Sequence, residues 1–478
     1  MRYETVIGLE VHVQLNTKSK AFCSCSTEFG AEPNSHVCPV CMGLPGSLPV
    51  LNAASAEKAV LAGLALGCNI QKVSCFDRKN YFYPDLPKAY QISQMYMPVC
   101  LGGGVTIESE DGQTKTINLT RIHIEEDAGK LVHGEGADAE FSFVDLNRSS
   151  IPLIEIVSEP ELRSASDARL YMQKLRTILL YADVSDCNME EGSMRCDANI
   201  SIRPVGQEKF GTRVEIKNMN SFRNVQRAIE YEAKRQEQVL SEGGTIRQET
   251  RLWDNNNNIT LPMRSKEDAE DYRYYPDPDV LPLVLDDKFI NDMKARLPEL
   301  PDSRRKRFME DYGLPLDDAD LLVSDIKYAS YYEEAVKAHN SPKMVANWVM
   351  GEVLRVVNDK NCGIYDTNIS PASIGELVAL IESNKISGKQ AKEVFALAVE
   401  SGKTPATIVK ESGMEQVSDT GALEAIVQKV IDESPAESAR YRAGEVKLQG
   451  FFVGQIMKAS QGKANPKLVN DILKKLLS

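Results

Sequence analysis

The sequence has no apolar run long enough to cross a membrane. Its longest apolar stretch, Ala59–Cys68, falls well short of the roughly 20 residues that a spanning helix needs. The chain also lacks a signal-peptide pattern, because its first residues already alternate as in a strand, so we expect a cytoplasmic protein. Its ten cysteines are then expected to be reduced thiols rather than disulfides.

Several common catalytic motifs are missing as well. Gly402–Thr404 resembles the end of a phosphate-binding P-loop, but Leu397 occupies the place of the first required glycine. The glycine-rich dinucleotide motif, the serine-hydrolase elbow and the zinc-protease helix motif are absent. No cysteine has an obvious nucleophile setting. The sequence therefore lacks the motifs of P-loop, dinucleotide-binding, serine-hydrolase and zinc-protease enzymes.

The charges that are present are unevenly distributed. The net charge of −13 argues against nucleic-acid binding, but residues 1–293 alone carry 43 acidic and 31 basic side chains. The last 40 residues instead carry eight basic and two acidic side chains, which favours contact with RNA phosphates. In this tail Phe451 and Phe452 are expected to be core residues. The predicted RNA-binding residues are Arg440, Arg442, Lys447, Lys458, Lys463 and Lys467.

Hydrophobic periodicity changes once along the chain. Apolar and polar residues alternate strictly over Thr5–Leu15, which predicts a strand, and amphipathic helices follow at Ser166–Tyr181 and Ser221–Leu240. After residue 301 the pattern is helical to the end. The sequence predicts an α+β fold, in which a cradle-like domain with a mixed, largely antiparallel sheet precedes an all-helical half. The predicted domains are 1–293 (catalytic), 294–402 (helical middle) and 403–478 (basic helical tail).

Four of the ten cysteines cluster in the pattern C-x-C-x12-C-x2-C, at Cys23, Cys25, Cys38 and Cys41. Two short pairs of thiolates suit tetrahedral Zn²⁺, and four protein ligands leave no position for a substrate. We therefore predict a structural zinc site, although the first pair is more tightly spaced than usual.

Histidine and carboxylate residues recur on predicted strands. Glu10 and His12 share the polar face of the first strand, and His123 and Glu125 alternate in the same way further on. Glu155 lies inside an apolar run, where a buried carboxylate must be paired, protonated or bound to metal. Such groups could hold Mg²⁺, with Mn²⁺ as an alternative because histidine is an unusual Mg²⁺ ligand. A polar pair on a strand can equally face water, so the solvated interpretation stays open.

Two further segments carry cations beside other functional groups. Lys79 lies next to Arg78 in the aromatic-rich, proline-containing stretch Phe76–Lys88, where either cation could reach phosphate oxygens. Arg195 and Asp197 alternate on a short predicted strand. Each segment could also be an ordinary solvated turn or strand, so neither is strong evidence by itself.

Taken together, the motifs resemble the B-subunit family of tRNA-dependent amidotransferases. The resemblance follows the chain in order over nearly its whole length. It is carried by Val6–Gln14, Phe76–Lys88, Ile122–Lys130, Asp145–Pro160, Gly192–Asn199, Arg264–Pro276, Gly450–Lys458 and Gly462–Pro466.

The resemblance implies a glutamine-hydrolysing ligase that forms a C–N bond on tRNA. ATP would phosphorylate the side-chain carboxylate of misacylated Glu-tRNA(Gln) and/or Asp-tRNA(Asn), and ammonia would then convert it to the amide. The family implies a heterotrimer, in which a glutaminase A subunit supplies the ammonia through a tunnel and a small C subunit completes the complex. ATP, Mg²⁺ or Mn²⁺, and structural Zn²⁺ are the implied cofactors.

The resemblance also implies roles for individual residues. The metal would be held by His12, Glu155 and either Glu125 or Glu126, with Glu10 nearby; strand alternation favours Glu125, but a bulge would reverse the choice. The implied catalytic residues are Lys79 for phosphate contact, Asp197 for handling ammonia or water, and Arg195.

Two other functions compete with this interpretation. A non-catalytic tRNA-binding scaffold would bind tRNA without ATP turnover, and a free-standing ligase for a small acid would turn over ATP without tRNA.

Overall fold

The computed structural model describes residues 2–134, 140–263, 272–414, 420–460, 464 and 466–477. The chain forms two compact units, Met1–Pro301 and Asp302–Ser478. The domain boundaries predicted after residues 293 and 402 remain predictions. Within the described ranges, no helix is both long and apolar enough to span a bilayer.

The first unit is a mixture of strands and helices. Its helices are α1 (Ala53–Ala65), α2 (Ala165–Tyr181), α3 (Phe222–Ser241) and α4 (Asp287–Arg296). Its strands are β1 (Tyr3–Gln14), β2 (Asn69–Ile70), β3 (Val73–Ser74), β4 (Asp77–Asn80), β5 (Tyr90–Ser93), β6 (Cys100–Leu101), β7 (Gly104–Glu108), β8 (Thr114–Glu126), β9 (Lys130–His133), β10 (Ser142–Asp145), β11 (Pro152–Ser158), β12 (Met194–Pro204), β13 (Val214–Met219), β14 (Glu249–Asp254), β15 (Ile259–Pro262), β16 (Tyr275–Pro276) and β17 (Leu283–Val284).

A ten-stranded sheet organises this unit, with β1 near its centre. The strand order is β15-β14-β13-β12-β1-β11-β8-β6-β2, and β7 pairs with β8. All of these pairings are antiparallel except that of β13 with β14, which α3 connects as a crossover helix. The predicted mixed, largely antiparallel sheet is therefore confirmed.

The two faces of the sheet differ in chemistry. Alternate residues of β1, including Ile7, Leu9, Val11 and Val13, lie in the core, which α1, α2 and α3 cover. The helices start where the sequence provides caps, since the hydroxyls of Ser164 and Ser221 accept backbone N–H groups of α2 and α3. Side chains at the intervening strand positions project from the opposite side, which we call the polar face. The candidate site lies on this polar face.

The second unit is helical, as predicted. Its helices are α5 (Pro301–Glu310), α6 (Leu316–Val323), α7 (Ile326–Ala338), α8 (Pro342–Trp348), α9 (Leu354–Lys360), α10 (Pro371–Glu382), α11 (Gly388–Ser401), α12 (Pro405–Glu411), α13 (Thr420–Glu433), α14 (Pro435–Arg442), α15 (Gln449–Ala459) and α16 (Pro466–Leu477). A π-helical segment, Val349–Val353, joins α8 to α9.

Two hydrophobic cores support the second unit, one within residues 308–409 and the other within 423–477. Phe452 lies fully inside the latter core, as expected. The same expectation is wrong for Phe451, which is 38% exposed because adjacent residues of a helix point in different directions.

The central packing of the sheet can be tested through tryptophan fluorescence. Trp253 is buried in the first unit, and Trp348, the other of the two tryptophans, lies in the second. In a Trp348→Phe background, Trp253 is the only tryptophan left, so the urea midpoint of tryptophan fluorescence reports on unfolding of the first unit. Ile154→Ala, on the buried face of β11, is expected to cost about 2–5 kcal/mol. Leu281→Ala, at a position 84% exposed, should change stability by less than about 0.5 kcal/mol. If both substitutions lowered the stability equally, the assignment of Ile154 to the buried face of the sheet would be wrong.

Candidate functional site

Strand register places four polar side chains in one row across the polar face. His12 on β1 lies opposite Glu155 on β11 and opposite Arg195 on β12. Glu155 in turn lies opposite His123 on β8. Residues separated by more than 100 positions in the chain therefore become neighbours on the sheet.

Three predicted metal ligands converge here: His12 and Glu155 from this row, and Glu125, two residues beyond His123 on β8. The Nε2 atom of His12 is 3.5 Å from Oε1 of Glu125 and 3.4 Å from Oε2 of Glu155. One ligand atom from each residue lies within 4.8 Å of the others. Neighbouring ligands of an octahedral ion are about 3 Å apart when each is about 2.1 Å from the metal. The three donors therefore lie close enough to hold one small divalent cation once their spacing contracts.

His123 completes the cluster, although its alternation with Glu125 was the only signal for it in the sequence. Its Nε2 atom is 3.4 Å from Oε2 of Glu155 and 3.7 Å from Oε2 of Glu125. Its buried Nδ1 atom has no hydrogen-bond partner among the described residues. Burial alone would lower the pKa of His123, but the two carboxylates outweigh it and raise the pKa to about 9. His123 thus lies where the two carboxylates favour its protonated form.

The two carboxylates of the cluster are stabilised in their ionised form. Burial tends to raise the pKa of Glu155 and of Glu125, but the nearby imidazoles of His12 and His123 outweigh burial and lower both pKa values. Ionised carboxylates beside imidazoles suit Mn²⁺ as well as Mg²⁺, since imidazole is a common ligand of transition metals.

Glu126, the alternative metal ligand, is not part of this cluster. Alternation along β8 directs its carboxylate away from the side of the strand that carries Glu125. There it pairs with the ammonium of Lys88 and accepts hydrogen bonds from the hydroxyl of Ser150 and the amide of Ile92, 2.9 Å away. The structure therefore brings Glu125, and not Glu126, to His12.

Glu10 lies on the polar face but outside the three-residue group. Its Oε1 atom accepts a hydrogen bond of 2.9 Å from Nδ2 of Asn199. Burial, followed by the charges of Glu155 and Glu215, raises the pKa of Glu10. Glu10 precedes His12 by two residues on the same face of β1, and its role near a metal stays a prediction.

Arg195 is held by a carboxylate at the end of β8. Its Nη2 atom is 2.9 Å from Oδ2 of Asp127, which also accepts a hydrogen bond of 2.8 Å from Gln14. Burial would raise the pKa of Asp127, but Arg195 and Arg148 outweigh it and lower the pKa. Asp127 was not predicted as a site residue, because nothing local in the sequence links it to Arg195.

Asp197 has a cationic partner on the next strand. The Nζ atom of Lys217 is 2.6 Å from Oδ2 of Asp197 and 3.1 Å from Oε1 of Glu215. These carboxylates raise the pKa of Lys217 against the effect of burial. The pairing of Lys217 with Asp197 depends on the register of β12 with β13.

Lys79 and its neighbour Arg78 have different surroundings. The guanidinium of Arg78 pairs with Asp277 at 2.8 Å and Asp279 at 2.6 Å, so this cation is already neutralised. The ammonium of Lys79 instead lies 4.8 Å from the ring centre of Tyr272 and 5.9 Å from that of Tyr81. Cation–π contact orients an ammonium without neutralising it, which leaves Lys79 suited to an incoming anion.

The four clustered cysteines come together as predicted. One Sγ atom from each of Cys23, Cys25, Cys38 and Cys41 lies within 4.8 Å of the others, and those of Cys38 and Cys41 are 3.9 Å apart. Tetrahedral coordination with Zn–S bonds of about 2.3 Å requires sulfur atoms about 3.8 Å apart. The four thiols therefore fit a structural Zn²⁺ ion.

The tail cations differ in their contacts. Arg440 pairs with Glu445 at 2.7 Å, and Arg442 donates a weak hydrogen bond of 3.4 Å to the Leu476 carbonyl. Lys447 and Lys458 are exposed. Lys463 lies outside the described residues, and Lys467 belongs to α16 but its side chain is not described.

Two domain models and several named proteins match this chain. Residues 5–291 match the GatB/GatE catalytic domain, and residues 330–477 match the GatB domain. The chain is 55% identical over 477 residues to a protein from Carboxydothermus hydrogenoformans, covering 100% of this chain and 99% of that one. It is 56% identical over 482 residues to a Geotalea uraniireducens protein and 55% over 477 residues to a Chlorobium chlorochromatii protein, with 100% of each chain covered.

All three relatives carry the name of the B subunit of aspartyl/glutamyl-tRNA(Asn/Gln) amidotransferase. The chain therefore belongs to the B-subunit family of this amidotransferase, and the resemblance seen in the sequence motifs is confirmed.

Metal binding by the cluster can be measured by electron paramagnetic resonance during titration with Mn²⁺. His12→Ala and Glu125→Gln are expected to weaken binding about 10- to 100-fold, because each removes a donor or its negative charge. Glu126→Gln should leave the affinity nearly unchanged, since Glu126 lies away from the cluster. Glu190→Gln, at an exposed position, is the matched control. Loss of binding in Glu126→Gln with retention in Glu125→Gln would contradict the assignment.

Proposed function

We propose that this chain activates and amidates the aminoacyl group of misacylated tRNA. Its substrates would be ATP and the side-chain carboxylate of Glu-tRNA(Gln), Asp-tRNA(Asn) or both, and its products Gln-tRNA(Gln) and Asn-tRNA(Asn). The observation that carries the proposal is the convergence of His12, Glu125 and Glu155 on the polar face of a chain that belongs to this family.

The chemistry explains why ATP is needed. A carboxylate resists attack by ammonia because it is anionic and has a poor leaving group. Transfer of the γ-phosphoryl group to a carboxylate oxygen gives ADP and an acyl phosphate. Ammonia then attacks the acyl carbon, phosphate departs with the C–O bond electrons, and loss of a proton from nitrogen leaves the amide.

The polar face, together with β4 of a separate three-stranded sheet, offers groups for each part of this reaction. A divalent cation bound by His12, Glu125 and Glu155 would neutralise the phosphate and carboxylate oxygens that must approach each other. Lys79, oriented by aromatic rings, would contact phosphate. Asp197, held by Lys217, would handle ammonia or water near the acyl group, and Arg195, held by Asp127, would orient an anionic substrate.

Ammonia is proposed to come from a separate glutaminase A subunit through a tunnel, with a small C subunit completing a cytoplasmic heterotrimer. The relatives are each named as one subunit of an amidotransferase, which supports membership of a larger complex. The sequence shows no obvious nucleophilic cysteine or serine-hydrolase elbow, which agrees with glutamine hydrolysis on another chain. We also propose that the four-cysteine cluster holds structural Zn²⁺ and that the basic tail binds the tRNA.

The proposed reaction can be tested with purified complex, ATP, and each of the two misacylated tRNAs. ATP hydrolysis should depend on misacylated tRNA, and ammonium salts should replace glutamine as the nitrogen source. His12→Ala and Glu155→Ala are expected to lower both hydrolysis and amidation at least about 100-fold, with Glu190→Gln as the unaffected control. ATP turnover without tRNA would instead favour a small-acid ligase, and tRNA binding without turnover would favour a scaffold.

The role of the tail can be tested by salt dependence of tRNA binding. The double variant Lys447→Ala/Lys458→Ala is expected to weaken binding and to reduce the slope of log affinity against log salt concentration by about 2, one for each lost phosphate contact. Lys306→Ala provides a control, since this lysine pairs with Glu310 on α5. An unchanged slope in the double variant would exclude these two lysines as phosphate contacts.

A further inference from the structure

The segment 144–150, which leads into β11, is tied on one side to the cysteine loop 23–41, here called the knuckle. The side chain of Asn34 donates to the Val144 carbonyl at 2.9 Å and accepts the Leu146 amide at 2.8 Å. In the opposite direction, the side chain of Asn147 accepts a hydrogen bond from the His36 amide at 2.9 Å and donates one to the Glu32 carbonyl at 2.7 Å. Two asparagines therefore clamp the segment to the backbone between the two cysteine pairs.

A buried lysine adds a link to the candidate zinc ligands themselves. Lys20 has no solvent exposure, and its ammonium donates to the Leu146 carbonyl at 3.1 Å. The same ammonium lies 3.7 Å from Sγ of Cys41, whose carbonyl accepts a hydrogen bond of 3.4 Å from the Ser149 hydroxyl. A buried ammonium requires a negative partner, and the sulfur of Cys41 is in reach of this one. Because the same ammonium also binds the Leu146 carbonyl, a change in the positions of the cysteines would also move the segment.

On its other side, the same segment holds residues at the edge of the polar face. The Ser150 amide donates to the Asp127 carbonyl at 2.8 Å, and its hydroxyl donates to Glu126. Arg148 donates to the Ala128 carbonyl at 3.0 Å, and its Nε atom is 3.7 Å from Oδ2 of Asp127. Asp127 is the residue that binds Arg195.

Ser150 has a backbone conformation that needs external support. Its φ of +68° lies in the left-handed region, which non-glycine residues adopt only when their surroundings hold them there. On one side of Ser150, the amide of Ala21, which lies just before the knuckle, donates to the Ser150 carbonyl at 2.8 Å. On the other side are the contacts with the end of β8 described above. The segment is thus held between the knuckle and the end of β8.

We infer that the knuckle positions Arg195 and the start of β11 through this segment, with Asn147 as the principal positioning residue. The expected effect on catalysis rests on the proposed function. The expected effect of the knuckle on the geometry of the segment does not. Loss of the clamp releases Asp127, and Arg195 then loses its fixed orientation while the rest of the sheet stays paired. The candidate zinc site thereby acts on catalysis without contacting a substrate.

The test compares Asn147→Ala, Cys38→Ser and the control Glu28→Ala, an exposed residue of the knuckle, in the full complex. Zinc content is measured by mass spectrometry, and backbone mobility by hydrogen–deuterium exchange. Asn147→Ala is expected to keep its zinc but to exchange about tenfold faster at residues 126–128 and 148–153, with exchange in β12 and β13 unchanged. Cys38→Ser should lose zinc and show the same local change, and Glu28→Ala should show neither.

Steady-state kinetics supply the second measurement. The positioning role predicts that Asn147→Ala lowers kcat for amidation about tenfold while KM for ATP stays within about twofold. Native-like exchange and kcat in Asn147→Ala would overturn the inference, as would faster exchange over the whole first unit. If the native complex lacks amidation activity, the proposed function fails, while the exchange measurement still decides whether the knuckle controls the segment.

Discussion

The antiparallel pairing of β1 with β11 on one side and with β12 on the other is the constraint on which the first unit depends. It sets His12 opposite both Glu155 and Arg195. Because side chains alternate along a strand, a shift of one residue would turn His12 into the core and expose Val11. The burial of the apolar face beneath three helices therefore enforces the register that assembles the polar face.

Two carboxylates at the polar face, those of Glu125 and Asp127, are buried, and each is paired with a basic side chain. Glu125 is only 3% exposed, yet its carboxylate is flanked by two imidazoles; Asp127 is matched by Arg195 in a similar way. An ionised group that far from water would be costly without such a partner. A merely solvated acidic surface would show neither the burial nor the pairing, so this part of the polar face is a cluster of buried, paired charges.

The parts of the site that the sequence predicted are those governed by local periodicity. Alternation in β1 indicated the shared face of Glu10 and His12, and an isolated carboxylate in an apolar run drew attention to Glu155. The choice between Glu125 and Glu126 depended on whether β8 carries a bulge before its end, which no local pattern reveals. The pairs Lys88–Glu126, Arg195–Asp127 and Lys217–Asp197 were not predicted, because each depends on strand register or loop packing between distant segments. The α+β division was readable because periodicity itself changes after residue 301.

The central position of β1 has a consequence for how the chain folds as it is synthesised. β1 leaves the ribosome before its partner β12, whose residues 194–204 emerge about 190 residues later. At roughly 5–20 residues per second, one backbone edge of β1 stays without that partner for about 10–40 s. Pairings of such long sequence separation also form slowly. The arrangement that places His12, Glu155 and Arg195 side by side at the middle of the sheet thus leaves strand edges of the nascent chain unpaired for a time, and unpaired edges favour aggregation.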